Sequence, residues 1–425
     1  MSLFWQELKK IWRPGILAGI VLLGLIYYYM FPSFYIEHFS NGPFARAEFE
    51  LAVEWVAQYG PTLEPEERAE LDSRLEEEIT KFNRQLEGIP EAAAAGITDY
   101  TSFRTAGQTE KHARLTWDIR DGTNCDTISA IQQMLERYDD PRDYLRQHDY
   151  FESYTAKERE QMLVVNSWPR SLLSGSVMDS TEFYLKYLAQ WTAISVILLL
   201  SPTLVRDRLR RTRPLQWSSR RGRKVLHTQL AAGLVSVLLL SAINVTVYAI
   251  PFLAQGPLAL KDCPLGNTVW GGGTPWFNWT YGQYLAVLTG MVLALGLVVG
   301  AVTLFLSRFS DSYVSMLLKA FPLLVVMGGF FAVWVVGGAF FFRPAWDYAE
   351  FFVPKGAEAI CIAVLLIIGA ALTGWSCFRQ RKLECLGRGG RQLLRFFLLC
   401  ALLSLEIDAV ERCEETAATG LGIML

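Results

Sequence analysis

The stretch that decides the fold is Val205–Lys224, VRDRLRRTRPLQWSSRRGRK. It holds nine arginines and lysines and a single acid, Asp207. Apolar runs lie on both sides, Tyr187–Val205 before it and Leu226–Leu253 after it, and each is close to the roughly 20 residues that cross a bilayer as a helix. A short basic loop between two spans stays on the cytoplasmic side because lysine and arginine resist translocation. The loop therefore predicts a multi-pass membrane protein and sets the orientation of its other segments.

Outward from this loop, the sequence predicts an all-α polytopic membrane protein with about six transmembrane helices. The other predicted spans are Gly15–Phe31, Tyr284–Leu306, Met316–Phe342 and Ala359–Trp375. Glycines in the fifth of these six spans predict close contact with a neighbouring helix; they are Gly328, Gly329, Gly337 and Gly338. Lys319 and Glu358 lie near span ends, where we expect them to reach toward the membrane surface. Arg343–Lys355 is predicted to be an outer loop that is partly re-entrant.

The N-terminal residues 1–13 are predicted to form a cytoplasmic amphipathic helix at the membrane interface, followed by the first transmembrane helix at 14–31. One face is apolar and aromatic, with Leu3, Phe4, Trp5, Leu8, Ile11 and Trp12. The other face is polar, with Glu7, Lys9, Lys10 and Arg13. Tryptophan at the headgroup level and basic groups toward the phosphates are typical of such interfacial helices.

Residues 32–181 form a polar insertion that is long enough for a domain of its own. We expect it to be extracellular and mainly helical. Helices are predicted at Phe49–Tyr59, Pro65–Leu86 and from Ile128 to Tyr138, with a capping box at Thr155 and Glu158, whereas Gly88–Gly107 is predicted to be a connector. The five later spans occupy 182–377, and 378–425 is a predicted cytoplasmic tail. Its short apolar run, 393–405, is read as an interfacial helix, with a seventh span as the alternative.

The composition gives little support to several other classes. The net charge is −2, so the overall charge does not predict nucleic-acid binding. Seven cysteines and four histidines are scattered without a CxxC pair or ligand spacing, and they predict neither a metal site nor a cofactor. Cys125 and Cys263 are both placed outside, so a disulfide between them is one alternative. The sequence shows neither a catalytic constellation nor a GxxxxGK[ST] phosphate-binding loop, so the chain itself is not expected to be an ATPase or another enzyme.

The order of these segments resembles the type-2 ABC transporter permeases, the membrane subunits of ABC exporters, in particular the Gram-positive members with a large extracellular loop. The clearest residue-level match is Leu215–Lys224, with its paired serines and its Gly222-Arg223. In that family the corresponding segment is a coupling helix that lies in a groove of a separate ATPase subunit. This chain departs from the family at Asp207, where the family commonly has Glu, and at Gln229, where it commonly has Lys.

The resemblance implies a plasma-membrane permease with its N- and C-termini in the cytoplasm. It implies a docked ABC ATPase subunit that carries ATP and Mg²⁺, a second permease copy or a related permease as partner, and no nucleic acid. The coupling loop is 206–224, and its expected partner-binding residues are Asp207, Arg213, Leu215, Trp217, Ser218, Ser219, Arg220, Arg221, Gly222, Arg223 and Lys224. Two alternatives remain: a loop that only fixes topology, and a non-transporting sensor or assembly protein whose outer domain binds a ligand. The transported substrate is not predicted.

Overall fold

The computed structural model describes residues 3–108, 112–139, 164, 168–210, 225–266, 274–336, 341–342 and 356–382. The first helices are α1 Leu3–Ile11, α2 Pro14–Met30, α3 Pro32–Glu37, α4 Pro43–Tyr59, α5 Pro65–Glu87, α6 Pro90–Ala94, α7 Tyr100–Gly107, α8 Ala113–Gly122 and α9 Cys125–Asp139. The later helices are α10 Gly175–Leu209, α11 Val225–Leu253, α12 Tyr281–Arg308, α13 Tyr313–Leu324, α14 Ala332–Val336 and α15 Ala357–Lys382. A 3₁₀ turn covers Pro257–Leu260, and a π-helical stretch, Val325–Phe331, joins α13 to α14. The extended elements in these ranges are β1 Thr274–Pro275 and β2 Phe341–Phe342, which pair antiparallel. The predicted all-α class is confirmed.

Five helical segments in the described ranges are long and apolar enough to cross a membrane. They are Gly175–Leu209, Val225–Leu253, Tyr281–Arg308, Tyr313–Trp334 and Ala357–Cys377. A sixth candidate is the pair α1 and α2, which meet at a bend of 43°. The chain is therefore built as a multi-pass membrane protein. Which end of the bundle faces which side of the membrane stays a prediction.

The long helix α10 is the centre of the bundle, and it begins earlier than the sequence predicts. The predicted span started at Tyr187 and the predicted insertion ended at Thr181, but α10 is continuous from Gly175 to Leu209. It packs against α11, α12 and α13, and its residues Val196, Leu199 and Leu200 are fully buried. Pro202 lies inside the helix, seven residues before its last residue, Leu209.

Close helix contact also occurs at glycines that the sequence did not single out, Gly233 and Gly296. A Cβ atom on Gly233 of α11 would lie 2.7 Å from Leu304 Cδ1, and one on Gly296 of α12 would lie 2.5 Å from Ser241 Oγ. Neither position has room for a side chain, so these glycines let α11 and α12 approach closely. In the predicted fifth span, Gly328 faces Ala193 with a built Cβ–Cβ distance of 3.8 Å, but Gly329 has nothing within 4 Å. Gly337 and Gly338 lie outside the described residues.

The amphipathic N-terminal helix α1 packs along α11. Ile11 is 1% exposed, and the indole nitrogen of Trp12 donates a 3.0 Å hydrogen bond to Ser236 of α11. The predicted polar face is wrong at Glu7, which is buried and accepts an ion pair from Lys10 at 2.6 Å. The physical reason is that this face of α1 meets protein, and the ion pair makes the burial of a carboxylate tolerable.

The insertion is helical in its described part, and the predicted connector Gly88–Gly107 is wrong. It holds α6 and α7, because Pro90 starts one helix and the Asp99 carboxylate caps the other by accepting from Ser102 N at 2.7 Å. Phe82, Tyr100 and Ile128 bury their side chains together in a core local to the insertion. Three predicted helices are present with shifted ends, at α4, α5 and α9.

The thiols of Cys125 and Cys263 are free and buried in separate cores, so the disulfide considered from the sequence is not formed. The segments Thr155–Glu158, Arg343–Lys355 and 393–405 lie outside the described residues.

Candidate functional site

The candidate site is the end of the bundle that carries the basic loop, which we call the basic end. Helix α10 ends at Leu209, with Arg210 as its cap, and α11 begins at Val225. Asp207 is the predicted partner-binding residue that falls in the described part of the chain. The others lie outside it, and they are Arg213, Leu215, Trp217, Ser218, Ser219, Arg220, Arg221, Gly222, Arg223 and Lys224. The described geometry is therefore that of the base of the loop.

A side-chain hydrogen bond closes the base of the loop. The amide nitrogen Nε2 of Gln229 in α11 donates to Oδ2 of Asp207 in α10, at 2.7 Å. Gln229 is 6% exposed, and Val225 and Leu226 beside it are also buried. The two helix ends that flank the loop are thus held side by side. Since a bond to a carboxylate is stronger than one between neutral groups, the loop leaves the bundle from a fixed base.

Arg208 extends this base to the next pair of helices. Its Nη1 forms an ion pair with Asp311, in the short connection between α12 and α13. Its Nη2 donates a 2.7 Å hydrogen bond to the backbone oxygen of Arg308, in the last turn of α12. A cation at a helix C-terminus is stabilised by the unpaired carbonyls there. One guanidinium therefore joins the end of α10 to both the end of α12 and its connection to α13.

Two further cations fasten the C-terminal end of α12. The guanidinium of Arg308 donates to the backbone oxygen of Ser376 in α15. The ammonium of Lys319 in α13 donates to Phe309 O at 2.8 Å and lies 3.3 Å from Ser310 Oγ. Lys319 thus reaches from α13 back to the backbone at the end of α12, and the depth of this end relative to the membrane surface stays a prediction. Glu358, in contrast, departs from the expectation that it reaches toward the membrane surface, since it is buried at 7% exposure.

A serine bridges α10 and α12 next to the internal proline. Ser307 of α12 is fully buried, and its hydroxyl donates to Ser201 O at 3.0 Å and accepts from Leu204 N at 3.2 Å. Pro202 lies between these two residues and has no N–H to give to the helix. The hydroxyl thus supplies hydrogen bonds to the α10 backbone at the point where a proline weakens it.

Sequence reasoning missed a buried carboxylate at the opposite end of α10. Glu48 of α4 is 2% exposed and accepts hydrogen bonds from the hydroxyls of Ser174 and Ser176, each at 2.9 Å. These serines flank the first residue of α10, where a negative charge is favoured by the helix dipole. The pattern Ser-Gly-Ser before an apolar run was the available signal for the helix start; nothing local to Glu48 indicated its partner.

The described residues contain no group of three or more His, Cys, Asp or Glu side chains that could hold a metal ion. At the basic end, contacts of Asp207, Arg208 and Arg308 hold four helices and one connection together. In comparisons with known proteins, no family model, no curated protein and no solved structure matches this chain.

Proposed function

We propose that the chain is the transmembrane permease subunit of an ATP-driven ABC exporter in the plasma membrane. A separate ATPase subunit, which carries ATP and Mg²⁺, docks on the 206–224 loop, and a second permease copy or a related permease completes the transport path. The observation that carries the proposal is the fixed base of the loop. It consists of the Asp207–Gln229 bond at 2.7 Å and the contacts of Arg208 with Asp311 and with Arg308 O.

The charge balance supports a partner with an acidic groove. The single acid of the loop, Asp207, is already engaged by Gln229. Of the basic residues, Arg208 is used within the chain, whereas the sequence supplies a further cluster at Arg220, Arg221 and Arg223. Arginines on a short projecting loop can form charge-assisted bonds to carboxylates of a partner and can steer its approach. The partner proposed here is therefore a protein with acidic groups rather than a nucleic acid.

The two departures from the resembled family also fit the proposal. Where that family commonly has Glu and Lys, this chain has Asp207 and Gln229, and these two side chains are in direct contact. This contact is made by a carboxylate that accepts from a neutral amide, so it uses one charge. In this chain, the Asp207–Gln229 contact links the two helices that flank the loop.

The contacts beyond the loop give a route for motion to reach the rest of the bundle. Arg208 joins α10 to α12, and Arg308 joins α12 to Ser376 of α15. A displacement of the loop would thus move three spans together instead of bending one connection. This mechanical role is what a permease without its own ATP-hydrolysing residues requires from its docking element.

A second candidate function is a non-transporting membrane sensor whose insertion binds a ligand. The observation that favours it is a cleft of about 520 Å³ in the insertion, which is of the size that binds small ligands. The two functions differ in their need for an ATPase partner. Affinity purification of the full chain from membranes separates them, because an ABC ATPase accompanies an exporter subunit and does not accompany a sensor.

The decisive experiment combines that purification with charge reversal in the loop. In the variant Arg220→Glu/Arg221→Glu/Arg223→Glu, like charges meet the acidic groove, which costs several kcal/mol of association. The expected result is normal membrane abundance with loss of the ATPase and of export. Six basic residues remain in 206–224 to hold the loop inside.

The matched control reverses three basic residues of the tail, Arg379→Glu/Arg381→Glu/Lys382→Glu, and should retain the ATPase. Capture of the ATPase at the wild-type level by the loop variant would refute the docking role and leave a loop that only fixes topology.

A further inference from the structure

The insertion contains an open cleft that the proposed transport function does not use. It has a volume of about 520 Å³ and lies among α7, α8 and α9. A second cleft of about 230 Å³ adjoins it toward α4. The two share three lining side chains, Phe44, Trp117 and Arg120. Together they form one continuous groove with an aromatic residue at its middle.

Trp117 is the feature that marks this groove as a binding surface. Its side chain is 69% exposed, whereas Ile119 on the same helix is 1% exposed and Phe103 on α7 is 8% exposed. The local core is thus formed without the indole, which presents its ring to the groove. Arg120 lies over this ring at 5.8 Å and is itself held by Asp126 at 2.6 Å. The indole is therefore supported from within the protein, and a preorganised aromatic surface favours binding.

The groove also offers charges of both signs that have no ion-pair or hydrogen-bond partner among the described residues. Arg104 on α7 is such a cation, and Glu136 on α9 and Asp121 on α8 are such anions. Nearby charges in the insertion are paired, as Arg120 is with Asp126. Between them, Tyr100 donates a 2.9 Å hydrogen bond to Gln132 Oε1 and fixes the amide at the floor of the cleft. Among the described residues, the groove thus combines an aromatic surface, an amide, and charged side chains of both signs without a partner.

From this combination we propose that the groove binds a short peptide with free charged groups and an apolar side chain. The apolar side chain packs on Trp117, the peptide carboxylate binds Arg104, and an ammonium group binds Glu136 or Asp121. The amide of Gln132 faces the peptide backbone. This assignment does not rest on the exporter function, because a sensor and an exporter subunit could each use such a site.

The same features argue against other ligand classes. An acyl chain needs an enclosed apolar channel, and this groove is open and lined by charged groups. A polyanion such as a nucleic acid would be repelled by the carboxylates of Glu136 and Asp121 in the lining. A neutral sugar could stack on Trp117, but it would leave Arg104 and Glu136 without opposite charges, and covering unpaired charges is costly.

The test uses the full chain in lipid nanodiscs and the tripeptide Ala-Phe-Ala with free termini, followed by saturation-transfer NMR. The expected result is binding to the wild type. We expect Trp117→Ala to weaken binding about tenfold, which is the size of one well-placed aromatic contact. Trp5→Ala is the matched control, since Trp5 is also exposed, at 49%, but belongs to α1 and does not line the groove. It should leave the affinity unchanged.

A second comparison tests the charge assignment. The same tripeptide with an acetylated N-terminus and an amidated C-terminus should bind more weakly to the wild type. Arg104→Gln should reduce that difference, because the peptide carboxylate then has no cation to bind, whereas the ammonium keeps its carboxylate partners. Because both substituted side chains are exposed, the variants should keep the wild-type thermal unfolding profile. Absence of tripeptide binding, equal affinity in the wild type and Trp117→Ala, or stronger binding of maltose than of the tripeptide would each overturn the proposal.

Discussion

The contacts of Arg208 allow a quantitative prediction about the basic end. Its side chain is 28% exposed and that of Asp311 is 86% exposed. An ion pair with so exposed a partner contributes about 0.2–1 kcal/mol. The second contact, to the backbone oxygen of Arg308 at 2.7 Å, is partly buried and comes from a charged donor, so it contributes about 1.5–3 kcal/mol. Arg208→Ala should therefore lower the free energy of unfolding by about 2–3 kcal/mol.

The ion pair with Asp311 is expected to contribute less to stability than the hydrogen bond to Arg308 O, and this difference makes the prediction specific. Asp311→Ala should cost less than about 1 kcal/mol, and the double variant Arg208→Ala/Asp311→Ala should resemble Arg208→Ala. Arg208→Lys should lie in between, because an ammonium keeps the charge but cannot hold two contacts in the fixed geometry of a guanidinium.

The measurement is a double-mutant cycle from reversible urea unfolding in detergent micelles, repeated at low and high salt. The cost of Asp311→Ala should shrink with salt, whereas that of the bond to Arg308 O should persist. Equal costs for Arg208→Ala and Asp311→Ala would refute the argument, because the whole effect would then pass through the exposed ion pair.

Three other outcomes are expected. Ser307→Ala should lower the free energy of unfolding by about 1–2 kcal/mol, because it removes two hydrogen bonds to the backbone. The control Ser33→Ala removes a single bond to a carbonyl four residues earlier and should cost less in the same unfolding assay. Equal costs would contradict the bridging role of Ser307. The hydrogen bond from the backbone N–H of Ser102, together with the Ser102 side chain, lowers the pKa of Asp99. Its capping contribution is therefore present above the pKa of the unfolded chain and is lost as the pH falls through the lower folded pKa. Asp99→Asn should remove this acid-dependent part, and unchanged circular-dichroism titrations would argue against it. Burial raises the pKa of the Cys125 thiol, and it raises that of Cys263 to about 12. Both thiols should therefore resist alkylation at neutral pH in the folded chain and react after denaturation. A mass shift on reduction would contradict this, because it would show that they form a disulfide.

At the candidate site, sequence reasoning located the loop but not the contacts at its base. The sequence places Asp207 as the single acid of the basic loop, and the resemblance marks both Asp207 and Gln229 as departures from the family. Their hydrogen bond depends on the relative rotation of α10 and α11, which no local pattern encodes. The partners of Arg208 and Arg308, Asp311 and Ser376, lie far along the chain, so the sequence does not indicate these contacts.

Within the insertion, the helix patterns were a better guide than the composition. The apolar stripe of Pro65–Leu86 correctly predicted α5, with Leu71 and Phe82 buried. The alanine- and glycine-rich run was wrongly read as a connector, because its short helices α6 and α7 are stabilised by Asp99 and by burial of Tyr100 rather than by a long periodic pattern. Short helices depend on such tertiary contacts, since their own propensity is insufficient.

The sequence by itself determined the helical class and the approximate position of the spans. Bilayer thickness requires long apolar runs and the hydrophobic effect makes them visible without a structure. The tertiary structure decided which groups meet: the closed base at Asp207 and Gln229, the serine bridge beside Pro202, and the exposed indole of Trp117 over its groove. These features rest on directional hydrogen bonds and on side-chain burial between distant segments. They become defined only when helices pack at fixed distances and rotations, as α11 and α12 do through Gly233 and Gly296.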